Sequence, residues 1–456
     1  MTKKPYLPFL ILIAIAIFGL FNANNDYIVS NNAEINTGDT AWMLTASAMV
    51  LLMTPGLAFF YGGMVNSKNV ISTMLQSFIA MAVVSILWVV VGFSLAFGDS
   101  VQFGEYSGFI GDPRTHFFFK GVVNGEPWSL AATIPLAVFA FFQLKFAIIT
   151  PALVTGAFAE RIRFRSYVLF ICLFSLLIYA PLCHWTWHPE GFLFKMGVLD
   201  FAGGTVVHMS AGIAALVGAA YMKKRVQNEK QEPANVPYVL LGTGLLWFGW
   251  FGFNSGSAFG ANNLAASAFG TTNTASAAAG ICWILLDGLR GKKPSALGYC
   301  IGAVVGLVAI TPGAGFVTIP AAIFIGVVAS IVSNIAISIT EKSGLNDTLD
   351  VFACHGVGGI VGMILTGVFA LNSVNGVVLE NEQGLITGGG ATLFCKHLMA
   401  TGIVIAFVAV GTLIVLKLTD LISPLQVTAE EEELGMDITQ HGEHFIGSKI
   451  EDKKGL

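Results

Sequence analysis

The sequence predicts an all-α membrane protein that crosses the bilayer many times. Three observations carry that reading. Hydrophobic residues make up 55% of the 456 residues and charged residues only 11%, where a soluble domain carries roughly 25% charged residues. Mean hydropathy is +0.75. Apolar stretches long enough to span recur at 42–63, 71–97, 129–158, 166–183, 205–222, 237–258, 264–287, 297–311, 318–338, 351–371 and 393–418, which makes eleven expected transmembrane helices. The net charge of −4 is spread over loops and tail, and nothing in it points to nucleic acid.

Taken in order, the chain starts with Lys3 and Lys4, then an apolar run from Leu7 to Leu20. That run is short for a span and suits a signal-peptide core. We expect residues 1–23 to be a signal peptide cleaved after Ala23, with a retained signal anchor as the alternative. Basic residues then decide orientation. Lys68 follows the first span, Arg161, Arg163 and Arg165 the third, Lys223, Lys224 and Arg225 the fifth, and Arg290, Lys292 and Lys293 the seventh. The positive-inside rule places these loops in the cytoplasm. Asn24–Asp39 and the long loop Gly98–Trp128 then lie outside, and the tail from Thr419 lies inside. The expected organisation is a transmembrane domain over 24–418 and a cytoplasmic tail over 419–456, in the plasma (cell inner) membrane. Cys172, Cys183, Cys282, Cys300, Cys354 and Cys395 fall in or beside apolar segments without ligand spacing, so they read as small core residues.

The spans hint at an inverted repeat of five plus five with one extra helix. Five spans end with a segment holding Asp200 and His208, and five more with one holding Asp350 and His355. An odd number of spans per half forces opposite topology, a transporter architecture with its site at the repeat interface. Glycine clusters such as Gly203-Gly204 and Gly356 to Gly359 permit close helix packing. An ionisable side chain in hydrocarbon is expensive and usually faces a pathway. Imidazole changes charge near neutral pH. Two such histidines in similar settings suggest a transported species that carries or sheds a proton. A lone buried histidine is more often a satisfied core residue. A zinc site is a poor rival, because no third Cys, Asp or Glu ligand stands nearby.

Several longer motifs then become recognisable. Asp200-Phe-Ala-Gly-Gly-Thr-Val-Val-His208, Gly249-Trp-Phe-Gly-Phe-Asn-Ser-Gly-Ser257, Pro55-Gly-Leu-Ala-Phe-Phe-Tyr-Gly-Gly63, Gly156-Ala-Phe-Ala-Glu-Arg-Ile-Arg-Phe164 and Asp350-Val-Phe-Ala-Cys-His-Gly356 resemble signatures of the ammonium transporter family (Amt/Mep, related to Rh proteins), in an Amt-type member. The resemblance runs from about Ala41 to the tail motif Gly435–Glu443. It implies the ammonium-transporter fold with eleven helices, one narrow pore per subunit and a homotrimer. It makes Phe146, Trp187 and Ser257 the outer site that recruits ammonium, with Phe142 one turn before Phe146. It makes Phe146 and Phe253 the stacked rings that close the pore, and His208 and His355 the twin pore histidines beside Trp250. Asp200 is the structural aspartate near the outer site. Leu57, Ile149, Leu153 and Leu246 are expected to line the pore on family position. The stretch from Trp187 to Asp200 is one residue longer than the family's spacing, which keeps Trp185 as the alternative.

The chemistry of these residue types fits that reading. Ammonium is close in size to potassium, so a ring of carbonyls could not separate them by fit alone. An aromatic face attracts a cation by ~0.5–2 kcal/mol. A hydroxyl such as Ser257 accepts an N–H hydrogen bond that an alkali ion cannot donate. The plainer alternatives are interfacial-belt tryptophan, packing serine and core phenylalanine. A gate of two phenyl rings would exclude hydrated ions and admit neutral ammonia. Two touching imidazoles would share one proton and could relay another. Asp200 reads as a helix cap rather than a direct ligand, and Asp350 as a cap and inner-mouth charge. Lys145 neighbours Phe146 on its helix and should point about 100° away from the pore. Glu160, Arg161 and Arg163 read as a charged cytoplasmic turn that anchors topology.

The expected activity is ammonium transport with methylammonium as an analogue, membrane lipid as surroundings, and neither catalysis nor a cofactor. The acidic tail, with Glu430 to Glu433, is expected to be partly solvated. In the family it docks on the cytoplasmic face, where a trimeric P-II signal protein binds. One rival is an ammonium sensor signalling through its tail, which an appended signalling domain would favour. The other is an Rh-like neutral gas channel, against which Trp187 and Ser257 argue.

Overall fold

Each of the eleven expected spans falls on a helix in the computed structural model, which describes residues 7–22, 35–104, 106–222 and 232–445. A short apolar helix comes first, α1 (Leu7–Asn22). The expected spans follow as α2 (Thr37–Met64), α3 (Ser67–Phe97), α4 (Leu136–Phe158), α5 (Phe164–Lys195) and α6 (Gly204–Tyr221). The second group is α7 (Val236–Gly256), α8 (Asn263–Leu289), α9 (Ala296–Ile310), α10 (Ile319–Ser343), α11 (Phe352–Phe369) and α12 (Thr392–Ile422). Among the described residues nine of these are long and apolar enough to cross a membrane. The two that fall short are α9, with 15 residues, and α8, whose 27 residues include Asn, Thr and Ser along its length. The expected cleavage point Ala23 and the basic residues Lys223, Lys224 and Arg225 lie outside the described residues. In α1 the Phe18 ring contacts Phe117 and Phe118 of the long loop, at 5.8 and 5.2 Å.

The two histidine helices are built alike. Each opens with six π-helical residues, Gly204–Met209 and Phe352–Val357, and continues with twelve α-helical ones, Ser210–Tyr221 and Gly358–Phe369. A π turn inserts an extra residue into the helical repeat and recurs at functional sites. Here it carries one histidine in each helix.

The helices run antiparallel, Gly212 lying against Gly356 and Gly204 against Gly359. Only glycine permits that crossing. A Cβ at Gly212 would lie 2.0 Å from the Gly356 amide nitrogen and 2.2 Å from its Cα. Both obstructing atoms are backbone and cannot rotate away. Gly212→Val should therefore cost about 3 kcal/mol or more and leave little folded protein on size-exclusion chromatography. A normal yield with normal transport would contradict this account of the crossing.

Two expectations at the Asp350 end are corrected. The cap of α11 is Asp347, whose Oδ2 accepts the Phe352 N–H at 2.6 Å. Asp350 instead forms a left-handed turn, φ 55°. Burial, followed by Asp347 and Glu341 nearby, pushes the Asp350 carboxyl up to about 8, which favours its neutral form and argues against a fixed mouth charge. Arg161, in the charged turn expected to anchor topology, is fully buried. Its Nη2 donates to the carbonyls of Ala157 (2.7 Å) and Asn346 (2.6 Å), tying the end of α4 to the loop before α11. Its neighbour Glu160 accepts the Asn66 N–H at 2.7 Å.

The tail docks on the same end. A short helix, α13 (Ala429–Leu434), is closed by a capping box between Thr428 and Glu431. Beyond it Asp437 accepts the N–H groups of Ile71 and Ser72 at 3.1 and 2.8 Å, and Asn69 Oδ1 accepts the Met436 N–H at 2.8 Å. The carboxylate thus satisfies free N–H groups at the start of α3.

Candidate functional site

Four aromatic side chains converge at the other end of the bundle. Phe142 and Phe146 stand four residues apart on α4, and Phe253 on α7 stands four before Ser257, which caps that helix, so each pair shares a helix face. Phe146 and Phe253 stack with ring centroids 4.1 Å apart. Trp187 meets Phe146 edge to face at 5.7 Å, and Phe142 does so at 4.9 Å. Ser257 Oγ donates to the Phe253 carbonyl at 2.9 Å, which leaves its lone pairs free to accept from a donor.

Asp200 organises the ground beneath this cluster. Its carboxylate accepts the N–H groups of Gly203 (2.8 Å), Gly204 (2.6 Å) and Thr205 (2.7 Å), and the Thr205 hydroxyl at 2.5 Å. Gly203 has φ 116°, a conformation an L side chain would strain. The Asp200 carbonyl accepts the Trp187 indole N–H at 2.9 Å. Trp185, the alternative, is spent elsewhere: it donates to the Phe109 carbonyl at 2.6 Å and packs on Phe192 and Phe407.

Behind the stacked rings lies a narrow internal cavity of about 10 Å³, near the least space one water needs. His208 and His355 line it, with Trp250 and Phe253. The Nδ1 atoms of the two histidines lie 3.3 Å apart. One must donate and the other accept, so the neutral rings hold complementary tautomers. His208 Nε2 is buried without a hydrogen-bond partner, and Trp250 stacks on this ring at 5.3 Å while its own N–H donates to Thr311 at 2.9 Å.

Leu57, Ile149, Leu153 and Leu246 line the cavity as expected. Met53, Phe60 and Val304 also line it and were missed. Met53 and Phe60 stand four before and three after Leu57 on α2, so helical spacing could have found them. Lys145 is absent from the lining and its ammonium sits 6.0 Å from the Phe141 ring. No group of three His, Cys, Asp or Glu able to hold a metal occurs among the described residues.

An aromatic plug, a small apolar passage and a buried imidazole pair, set in a bundle of apolar helices, define a membrane protein that passes a small solute. Comparison with known proteins gives the family. A sequence model described as Ammonium Transporter Family matches residues 41–445. The ammonium transporter of Bacillus subtilis is 46% identical over 411 residues, covering 89% of this chain and 98% of its own. That of Aquifex aeolicus is 44% identical over 425 residues, covering 92% and 96%. The crystal structure of Saccharomyces cerevisiae Mep2 superposes with a TM-score of 0.83 at 35% identity, covering 92% of this chain and 94% of that one. The chain belongs to the ammonium transporter family.

Proposed function

We propose that this protein carries ammonium across the plasma membrane by taking it up as a cation and conducting ammonia. Ammonium binds outside the plug, against Phe146 and Trp187 and the acceptor lone pairs of Ser257. The cavity behind the plug offers only two imidazoles and apolar walls. An unpaired ion entering so dry a place faces a desolvation cost of up to tens of kcal/mol. An amine titrates a few units above neutral, so shedding the proton at pH 7 costs only about 3–5 kcal/mol at 1.36 kcal/mol per unit. Deprotonation is the cheaper route. Ammonia then passes His208 and His355. The proton enters at the unpartnered His208 Nε2 and crosses the Nδ1–Nδ1 contact to His355. The observation that carries this reading is the imidazole pair, in hydrogen-bond contact, directly behind a closed phenyl gate.

The family resemblance supports further proposals. These include a transport domain crossing eleven times within 24–418, a homotrimer and a P-II signal protein on the tail-covered face. The cleaved leader over 1–23 rests instead on Lys3, Lys4 and the apolar run Leu7–Leu20, and the inside tail on the basic loops. A Trp187→Leu variant tests the outer site. Loss of one cation–π contact should raise half-saturation for methylammonium about 3- to 10-fold at little change in limiting rate. An unchanged half-saturation would remove Trp187 from the site.

A further inference from the structure

The bond between the Trp187 indole and the Asp200 carbonyl depends on where the loop between α5 and α6 lies. His397 holds that loop from behind. It sits near the start of α12 and is fully buried. Its Nδ1 is 2.7 Å from the Met363 carbonyl, an acceptor, so Nδ1 carries the proton. Its Nε2 then has a lone pair, and it accepts the Leu199 N–H at 3.1 Å. Leu199 directly precedes Asp200, and Met363 lies two turns beyond His355 on α11. One imidazole thus joins α12, the helix of His355 and the loop that caps the helix of His208. The fit is close, because a Cβ at Gly367 would lie 3.2 Å from His397 Cβ and 3.3 Å from its Cγ.

We propose that His397 is a positioning residue of the outer site, fixing the Leu199–Asp200 backbone so that the Asp200 carbonyl holds the Trp187 indole against Phe146. The assignment rests on the reading of Trp187 as an ammonium contact. Removing the imidazole leaves the Leu199 N–H without its acceptor and frees the loop to shift. The indole loses its anchor while the pore, the gate and the histidine pair stay as they are.

The test uses the purified full-length protein in liposomes and methylammonium-evoked current. His397→Leu is expected to raise half-saturation about 3- to 10-fold, the effect of losing one backbone hydrogen bond, with limiting current within about twofold. His397→Gln should stay near wild type, since its amide can both accept from Leu199 and donate to Met363. If His397→Leu does not yield folded protein, His397→Asn replaces it, being too short to reach Leu199, with the same expected rise. In a Trp187→Leu background the same substitution should add little, because the positioned group is gone. An equal rise in both backgrounds, or none in the wild-type background, overturns the role of His397. A Trp187→Leu variant with unchanged half-saturation overturns the outer-site reading itself, and the positioning role with it.

Discussion

Substituting leucine for both His208 and His355 is expected to reduce the ammonium-evoked current by about a hundredfold or more, the scale of a lost proton-transfer group. Among the described residues, the two imidazoles are the only ionisable side chains lining the cavity behind the gate. Leucine is near histidine in volume, so the passage should persist. Ammonia can still diffuse, while the proton has no carrier. Current and uptake should therefore separate, with the current lost and a slow neutral flux left. Steps of ammonium and potassium on proteoliposomes measure this directly. An undiminished current that remains selective over potassium would leave the histidines as structural partners of each other.

The second large effect is expected at Asp200. Its carboxylate takes four hydrogen bonds from Gly203, Gly204 and Thr205. Bonds to a charged group are worth about 1.5–3 kcal/mol each, and orphaned N–H groups add to the loss. Water and relaxation recover part, so Asp200→Ala should cost about 3 kcal/mol or more of stability. Asp200→Asn keeps a capping oxygen and should cost less. Thermal unfolding of the purified variants would show the order. Equal loss of transport in both, at normal stability, would mean that the charge matters rather than the cap.

The long apolar runs made the helices legible, since hydropathy reports burial in lipid directly. The motifs supplied the candidate site residues, and the structure brings Phe146, Trp187, Phe253, His208, His355 and Trp250 together. What stayed hidden depends on tertiary contacts. The charge pattern marks Arg161 as part of a cytoplasmic turn, and only the fold supplies the two carbonyls that make its burial tolerable. Asp347 and Asp350 are equivalent as sequence, and the left-handed turn at Asp350 decides which one caps α11. Val304 reaches the cavity from α9, a helix no motif connected to the pore. The π turns around both histidines carry no compositional mark. His397 belongs to none of the motifs, and only the fold supplies its two backbone partners.

The central claim is that ammonium enters as a cation and its charge crosses with it, although ammonia and the proton travel separately. The direct measurement is an ammonium step applied to liposomes holding the purified protein, with current and internal pH recorded together. Neutral ammonia entering alone takes up protons inside and raises internal pH without moving charge. The account predicts an inward current that saturates with ammonium, no current for an equal potassium step, and no internal alkalinisation through the protein. Internal alkalinisation without current would contradict it and make the protein a neutral gas channel.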